Sequence, residues 1–264
     1  MDLVDTHCHI HFPDYELDPL EVIKEAQNHG VARLLCVGCT LLDSQLAIEM
    51  AAKHEHVYAA IGLHPHEAKD YVNDSDALQQ FRELAGKPKV VAIGETGLDY
   101  HYTHSSKEDQ KKLFRFQLDL AVEHDLPLIF HVREAFDDFF GIIGQYQGLR
   151  GVVHSFTANR QVLDKILSQG LYIGLNGIIT FAKDEKLLDM VKVVPLDRLL
   201  LETDAPFLTP TPFRGKVCEP KYVRVVAEFL ADLRGEPIRK LANATTQNAR
   251  ALFNLNPLHS GKEL

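Results

Sequence analysis

Eight short apolar, β-branched runs, each followed by a loop and a longer amphipathic stretch, constrain this 264-residue chain more than any other feature. The runs are Leu3–Thr6, Arg33–Val37, Val57–Gly62, Val90–Gly94, Leu128–His131, Gly151–His154, Leu171–Leu175 and Leu199–Glu202. Several are apolar throughout, as parallel strands buried on both faces must be. Helical periodicity covers Leu20–His29, Ser44–Lys53, Ser75–Ala85, Glu108–His124, Arg133–Tyr146, Arg160–Ser168 and Glu185–Val193. Lys221–Leu233, Ile238–Ala244 and Thr246–Phe253 follow. Asp18 and Pro19 supply an N-cap and an N1 proline for the first helix, and Gly30 supplies its stop. Eight β→α steps without an interrupting linker predict a single (β/α)8 TIM barrel domain of the metal-dependent hydrolase type over residues 1–264. An open doubly wound sheet would need a Gly-rich phosphate turn after an early strand, and none is present.

The strand ends carry the chemistry. The first ends Asp5-Thr6-His7-Cys8-His9, and alternation along a strand points His7 and His9 the same way, with Cys8 opposite. Alone, this H-x-H pair is a weak signal in a chain with 14 histidines. Four further strands close on Glu95, His131, His154 and Glu202-Thr203-Asp204, at the barrel end where active sites are built. Buried imidazoles and carboxylates are costly unless paired or metal-bound, and coincidence at five corresponding places is a poor account of them. Four histidines and two carboxylates exceed the needs of one tetrahedral zinc, which predicts two divalent ions with Glu95 between them. Two dications outweigh two carboxylates and a bridging hydroxide by roughly one charge, so the pocket attracts an anion such as a phosphodiester.

That inference has to be reconciled with a net charge of −9, which excludes a protein that coats nucleic acid through a broad basic surface. It leaves room for a strand end or a short single strand held inside the pocket, and so for exonuclease action. The opening Met1-Asp2-Leu3-Val4-Asp5 lacks the basic and apolar regions of a signal peptide. No long apolar run is present, so no membrane contact is expected, and the expected compartment is the cytoplasm. Four cysteines do not make a disulfide scaffold. Cys36-Val37-Gly38-Cys39 has redox spacing, but Cys36 lies inside an apolar strand and reads as a small buried hydrophobe. No protein partner is indicated, and a monomer is the default.

Taken together, these motifs resemble the TatD family of metal-dependent deoxyribonucleases, within the amidohydrolase-like barrels. The matching stretches are Asp5–His9, Gly62–His66, Gly94–Tyr100, His131–Arg133, His154–Thr157, Glu202–Pro206 and Arg214–Lys216, from one end of the chain to the other. The resemblance implies His7 and His9 on one metal, His131 and His154 on the second, and Glu95 bridging. It implies that Asp204 ligates and orients or deprotonates the attacking water. It further implies a 3'-5' exonuclease on single-stranded DNA, and possibly RNA, using Zn²⁺, Mg²⁺ or Mn²⁺. The alternative on the same barrel is hydrolysis of a non-nucleic-acid ester, lactone or amide. Two positions depart from the family's usual pattern: His11, where an acidic residue or Asn is common, and Val217-Cys218 in the loop after the eighth strand, which lacks the usual Asn. Both bear on substrate range.

Three residues are candidate substrate contacts. His64 follows the third strand, Arg133 stands two residues beyond His131 with a geometry suited to clamping phosphate, and Arg214 lies in the Pro-rich loop after the eighth strand. His66 shares the mouth with His64. The histidines at 29, 54, 56 and 124 fall on helices or connections and need no functional account.

Overall fold

The computed structural model describes residues 1–255, and in it the eight apolar runs pair side by side as one parallel sheet in chain order. The strands are β1 Leu3–Cys8, β2 Val31–Val37, β3 Val57–Ile61, β4 Val90–Asp99, β5 Leu128–Arg133, β6 Gly151–Val153, β7 Tyr172–Leu175 and β8 Leu199–Leu201. Ten helices alternate with them or follow: α1 Pro19–Asn28, α2 Leu41–Lys53, α3 Ala68–Tyr71, α4 Ser75–Leu84, α5 Lys107–Glu123, α6 Phe136–Ile143, α7 Arg160–Ser168, α8 Glu185–Lys192, α9 Val223–Arg234 and α10 Ile238–Phe253. The architecture is a TIM barrel. Asp18 caps α1 by accepting from the Leu20 N–H, with Pro19 in the first turn, as its local sequence dictates.

The seam between β8 and β1 is closed largely by the segment just past β8. Asp204 N–H donates to the His7 carbonyl (2.8 Å) and His9 N–H to the Ala205 carbonyl (2.7 Å). Beneath them the buried Asp5 carboxyl accepts from Thr203 N–H (2.9 Å) and Thr203 Oγ1 (2.6 Å). Burial lifts the Asp5 pKa to about 8 against the pull of these hydrogen bonds. The same few residues therefore shut the barrel and bring Asp204 over the two histidines.

Two cores share the strands. Outward-facing side chains pack against the helices, while Val4, Leu35, Tyr58, Ala92, Ile129 and Leu200 fill the interior together with Leu252 and Phe253 of α10. Helix α10 closes the bottom: Thr246 Oγ1 donates to the Asp2 carbonyl, and Asn248 Nδ2 to those of Leu196 and Leu199. Truncating the fully buried Phe253 to Ala removes this plug. Its expected cost is about 3–5 kcal/mol, read as a lower denaturant midpoint at constant m-value. Turnover per folded molecule should hold, because the site lies at the opposite end.

Several element boundaries correct the sequence reading. Strand β4 continues five residues past Gly94 to Asp99, and Arg133 belongs to β5, paired with Asp99, so the next helix begins only at Phe136. The two final helices are one, because the Thr245 hydroxyl donates back to the Leu241 carbonyl and does not interrupt the ladder.

Two β-bulges aim the site. Val4 faces the interior, so strict alternation would send His7 into the helical shell. Instead Asp5 to Cys8 on β1 matches Leu34 to Cys36 on β2, one extra residue. The phase flips: Cys8 joins the outer core, and His7 and His9 turn to the mouth. Ile93 to Thr96 on β4 is likewise one residue longer than Leu128 to Phe130 on β5, and Glu95 turns inward.

Candidate metal centre

Glu95 is buried at the centre of the mouth, and its two carboxylate oxygens face different histidines. Oε1 accepts from His131 Nδ1 and lies 2.7 Å from both that atom and His154 Nε2. His64 Nε2 stands 3.7 Å from the same oxygen. Oε2 faces the other side, 3.5 Å from His7 Nε2 and 4.0 Å from His9 Nε2. Asp204 completes that side, with Oδ1 3.5 Å from His7 Nε2 and 3.4 Å from His9 Nε2. All six predicted ligand positions, His7, His9, Glu95, His131, His154 and Asp204, are thus gathered in one place.

The histidines and carboxylates of the site shift one another's protonation. His131 lies between two carboxylates, with Nδ1 2.7 Å from Glu95 Oε1 and Nε2 2.9 Å from Asp99 Oδ2, and their hydrogen bonds and charge raise its pKa against burial. Burial alone would keep His154 neutral, but the Glu95 charge and hydrogen bond outweigh it and push its pKa up to about 10. Burial likewise opposes ionisation of Glu95, yet the surrounding histidines hold its pKa well below the ordinary carboxylate range. His7 goes the other way: burial, reinforced by neighbouring His154, pulls its pKa down to about 4, so its ring is neutral near pH 7. Protons supply positive charge where a divalent cation would supply more.

The donor set fits such ions. The ligand atoms of His7, His9 and Glu95 lie within 4.8 Å of one another, as do those of His64, Glu95 and His131, and those of His7, His154 and Glu202. His7 Nε2 and His9 Nε2 meet at 3.1 Å. The His9 Nδ1–H is held by the Val37 carbonyl at 2.7 Å, which turns Nε2 into the ligand atom.

Sequence reasoning missed the carboxylate behind His131. Asp99, at the end of β4, is buried; its Oδ2 accepts from His131 and from His66 Nε2 (3.0 Å), and its Oδ1 from the His101 and Tyr102 N–H groups. The Glu95, Gly97, Asp99 alternation past the bulge was the available signal. Glu202, named at the end of the eighth strand but given no role, is buried behind His154, with Oε1 4.0 Å from His154 Nδ1 and accepting from the Ser155 N–H. Burial raises its pKa to about 7. Cys39, the second cysteine of the pair, has its thiol 3.7 Å from Glu95 Oε2.

The mouth opens into a cavity of about 680 Å³ lined by His64, Glu95, His131, Arg133, His154 and Asp204, among others. Arg133 is thus one of the cavity's lining residues. Arg214 does not line it: its guanidinium stacks on Phe181 at 4.0 Å and donates to the Thr209 carbonyl, bracing the loop after β8. His11 is buried beside His9 with no hydrogen-bond partner on either ring nitrogen among the described residues.

A parallel barrel whose mouth gathers histidines and carboxylates around one buried glutamate defines a metal-dependent hydrolase. The family model described as TatD related DNase matches residues 4–254, and the chain belongs to that family. An uncharacterized metal-dependent hydrolase of Bacillus subtilis, YabD, is 42% identical over 256 residues, covering 96% of this chain and 100% of its own. The 3'-5' ssDNA/RNA exonuclease TatD of Erwinia tasmaniensis is 38% identical over 243 residues, 89% of this chain and 93% of that one. The crystal structure of YJJV, a TatD homolog from Escherichia coli, superposes with a TM-score of 0.90 at 32% identity, covering 96% and 98% of the two chains.

Proposed function

We propose that the protein is a two-metal phosphodiesterase that removes nucleotides from the 3' end of single-stranded DNA, and of RNA where it is offered. The observation that carries this reading is the division of Glu95 between two histidine sets. His7, His9 and Asp204 would hold one ion, His131 and His154 the other, with Glu95 shared. When bound, such ions polarise the phosphoryl oxygens and lower the pKa of water.

The chain's own residues do the rest. Asp204, braced over His7 and His9 by its backbone bond to His7, accepts the proton of the attacking water. Its carboxyl pKa is lowered, the charges and hydrogen bonds of the histidines outweighing burial, so it is ionised and ready to accept. His64 Nδ1 accepts from the His66 N–H, which leaves the proton on Nε2, facing the cavity as a donor to a phosphoryl oxygen. Arg133 adds a cation on the same wall. Asp99 keeps the Nε2 proton on His131 and so presents Nδ1 to the centre.

Asp204→Asn tests the assignment. Its kcat on a 3'-terminal nucleotide should fall by at least about 100-fold, with KM changing far less, the pattern of a group that acts in the transition state. Unimpaired turnover would remove Asp204 from the proton-accepting role.

A further inference from the structure

Seven large apolar side chains are strongly exposed among the described residues, and the two aromatic ones, Tyr102 and Phe207, both stand at the barrel mouth. Phe207 is 53% exposed, lines the cavity, and has its ring 6.4 Å from that of His9. Its N–H donates to the Asp204 carbonyl (2.8 Å), which ties it to the turn carrying that carboxylate. Tyr102 is 44% exposed on the loop after β4, with its ring 5.5 Å from that of His66 and 5.0 Å from the Arg133 guanidinium. Its N–H donates to Asp99 Oδ1 (3.1 Å), the carboxylate that holds His131. One aromatic ring is therefore fixed to the His9–Asp204 side of Glu95 and the other to the His131 side.

We infer that Phe207 and Tyr102 are stacking platforms for the two nucleobases that flank the reacting phosphate; the inference rests on the nuclease reading above and names how the strand is gripped. Leaving a large ring half in water is unfavourable unless something covers it, and the main chain carrying each ring is anchored beside the site by a backbone hydrogen bond. Every base has a π-face, so stacking grips a single strand without reading its sequence. It also resolves the charge problem. A chain of net charge −9 has no broad basic track, and base stacking needs none. Bases paired in a duplex have their faces already covered, which restricts this grip to unpaired ends.

The test compares Phe207→Leu and Tyr102→Leu with wild type on an intact oligonucleotide and on one with abasic residues on both sides of the first cut phosphate. Each variant should raise KM for the intact strand about ten-fold, the effect of losing one stacked base, with a much smaller change in kcat. The strand abasic on both sides loses both stacked bases, so wild type should show about a 100-fold rise in KM on it, and adding either substitution should cost little more. Phe207→Trp should restore the KM. The slope of affinity against salt should be unchanged in Phe207→Leu but shallower by about 0.7 in Arg133→Ala, which loses a phosphate contact. A parallel arm measures quenching of 2-aminopurine placed next to the 3' terminal phosphate. Quenching that depends on Phe207, in a wild type that cleaves no DNA, would support stacking and sink the nuclease reading. Cleavage with the same KM in all variants, a substitution that costs as much on abasic as on intact strands, or no quenching at all, would overturn the stacking platforms.

Discussion

Glu95→Gln is expected to lower kcat by about 10³-fold or more while leaving the fold intact, the largest effect of any isosteric change in this protein. The amide keeps the size and one oxygen but removes the charge that both histidine sets face. An amide NH₂ set against the donors of His131 and His154 is also repulsive where the carboxylate oxygen accepted. Metal uptake by the stripped protein should therefore fall below that of wild type, measured by titration calorimetry. Wild-type stoichiometry together with wild-type turnover would show that Glu95 is not shared between ions.

The second large effect is expected of Gly62→Ala, a substitution outside the ligand set. A Cβ at Gly62 would lie 2.1 Å from the Glu95 backbone nitrogen and 2.2 Å from the Gly94 carbonyl carbon. The obstacle is backbone, which cannot swing aside as a flexible side chain can. The bulge that aims Glu95 must therefore move, or the strand must part from β3. Overpacking of this kind costs about 3 kcal/mol, and a displacement of about 1 Å at a reacting group costs on the order of 100-fold in rate. Gly86→Ala is the matched control, since nothing lies within 4 Å of the added atom. A chemical denaturation curve and a turnover assay on both variants separate the effects. Equal stability and activity for the two would show that the Gly62–Glu95 approach does not matter.

How far the sequence revealed this molecule follows from what its side chains must do. The strands were legible because residues such as Leu34, Ile93 and Leu200 are buried in a closed parallel sheet and must be apolar. Beyond Gly94 the mouth-side half of β4 carries Glu95, Thr96 and Asp99, and polar composition hid five residues of strand. The ligand types were legible at strand ends, but the direction they point was not. A bulge adds a residue to one strand without changing composition, so alternation counted from Val4 gives the wrong face for His7. Asp99 escaped notice because its importance lies in contacts to His66 and His131, residues 33 and 32 positions away. The stacking of the Arg214 guanidinium on Phe181 was hidden for a related reason: a residue's place in the loop after β8 does not show which ring its side chain meets.

The most direct measurement is hydrolysis of 3'-end-labelled single-stranded DNA by metal-stripped protein, re-supplied in turn with Mg²⁺, Mn²⁺ and Zn²⁺. The expected result is no cleavage by the stripped protein, metal-dependent release of mononucleotides from the 3' end, and loss of that release in Glu95→Gln. Tight stoichiometric metal uptake with no DNA or RNA cleavage under any of the three ions would contradict the nuclease assignment and leave a metal-dependent hydrolase acting on another substrate.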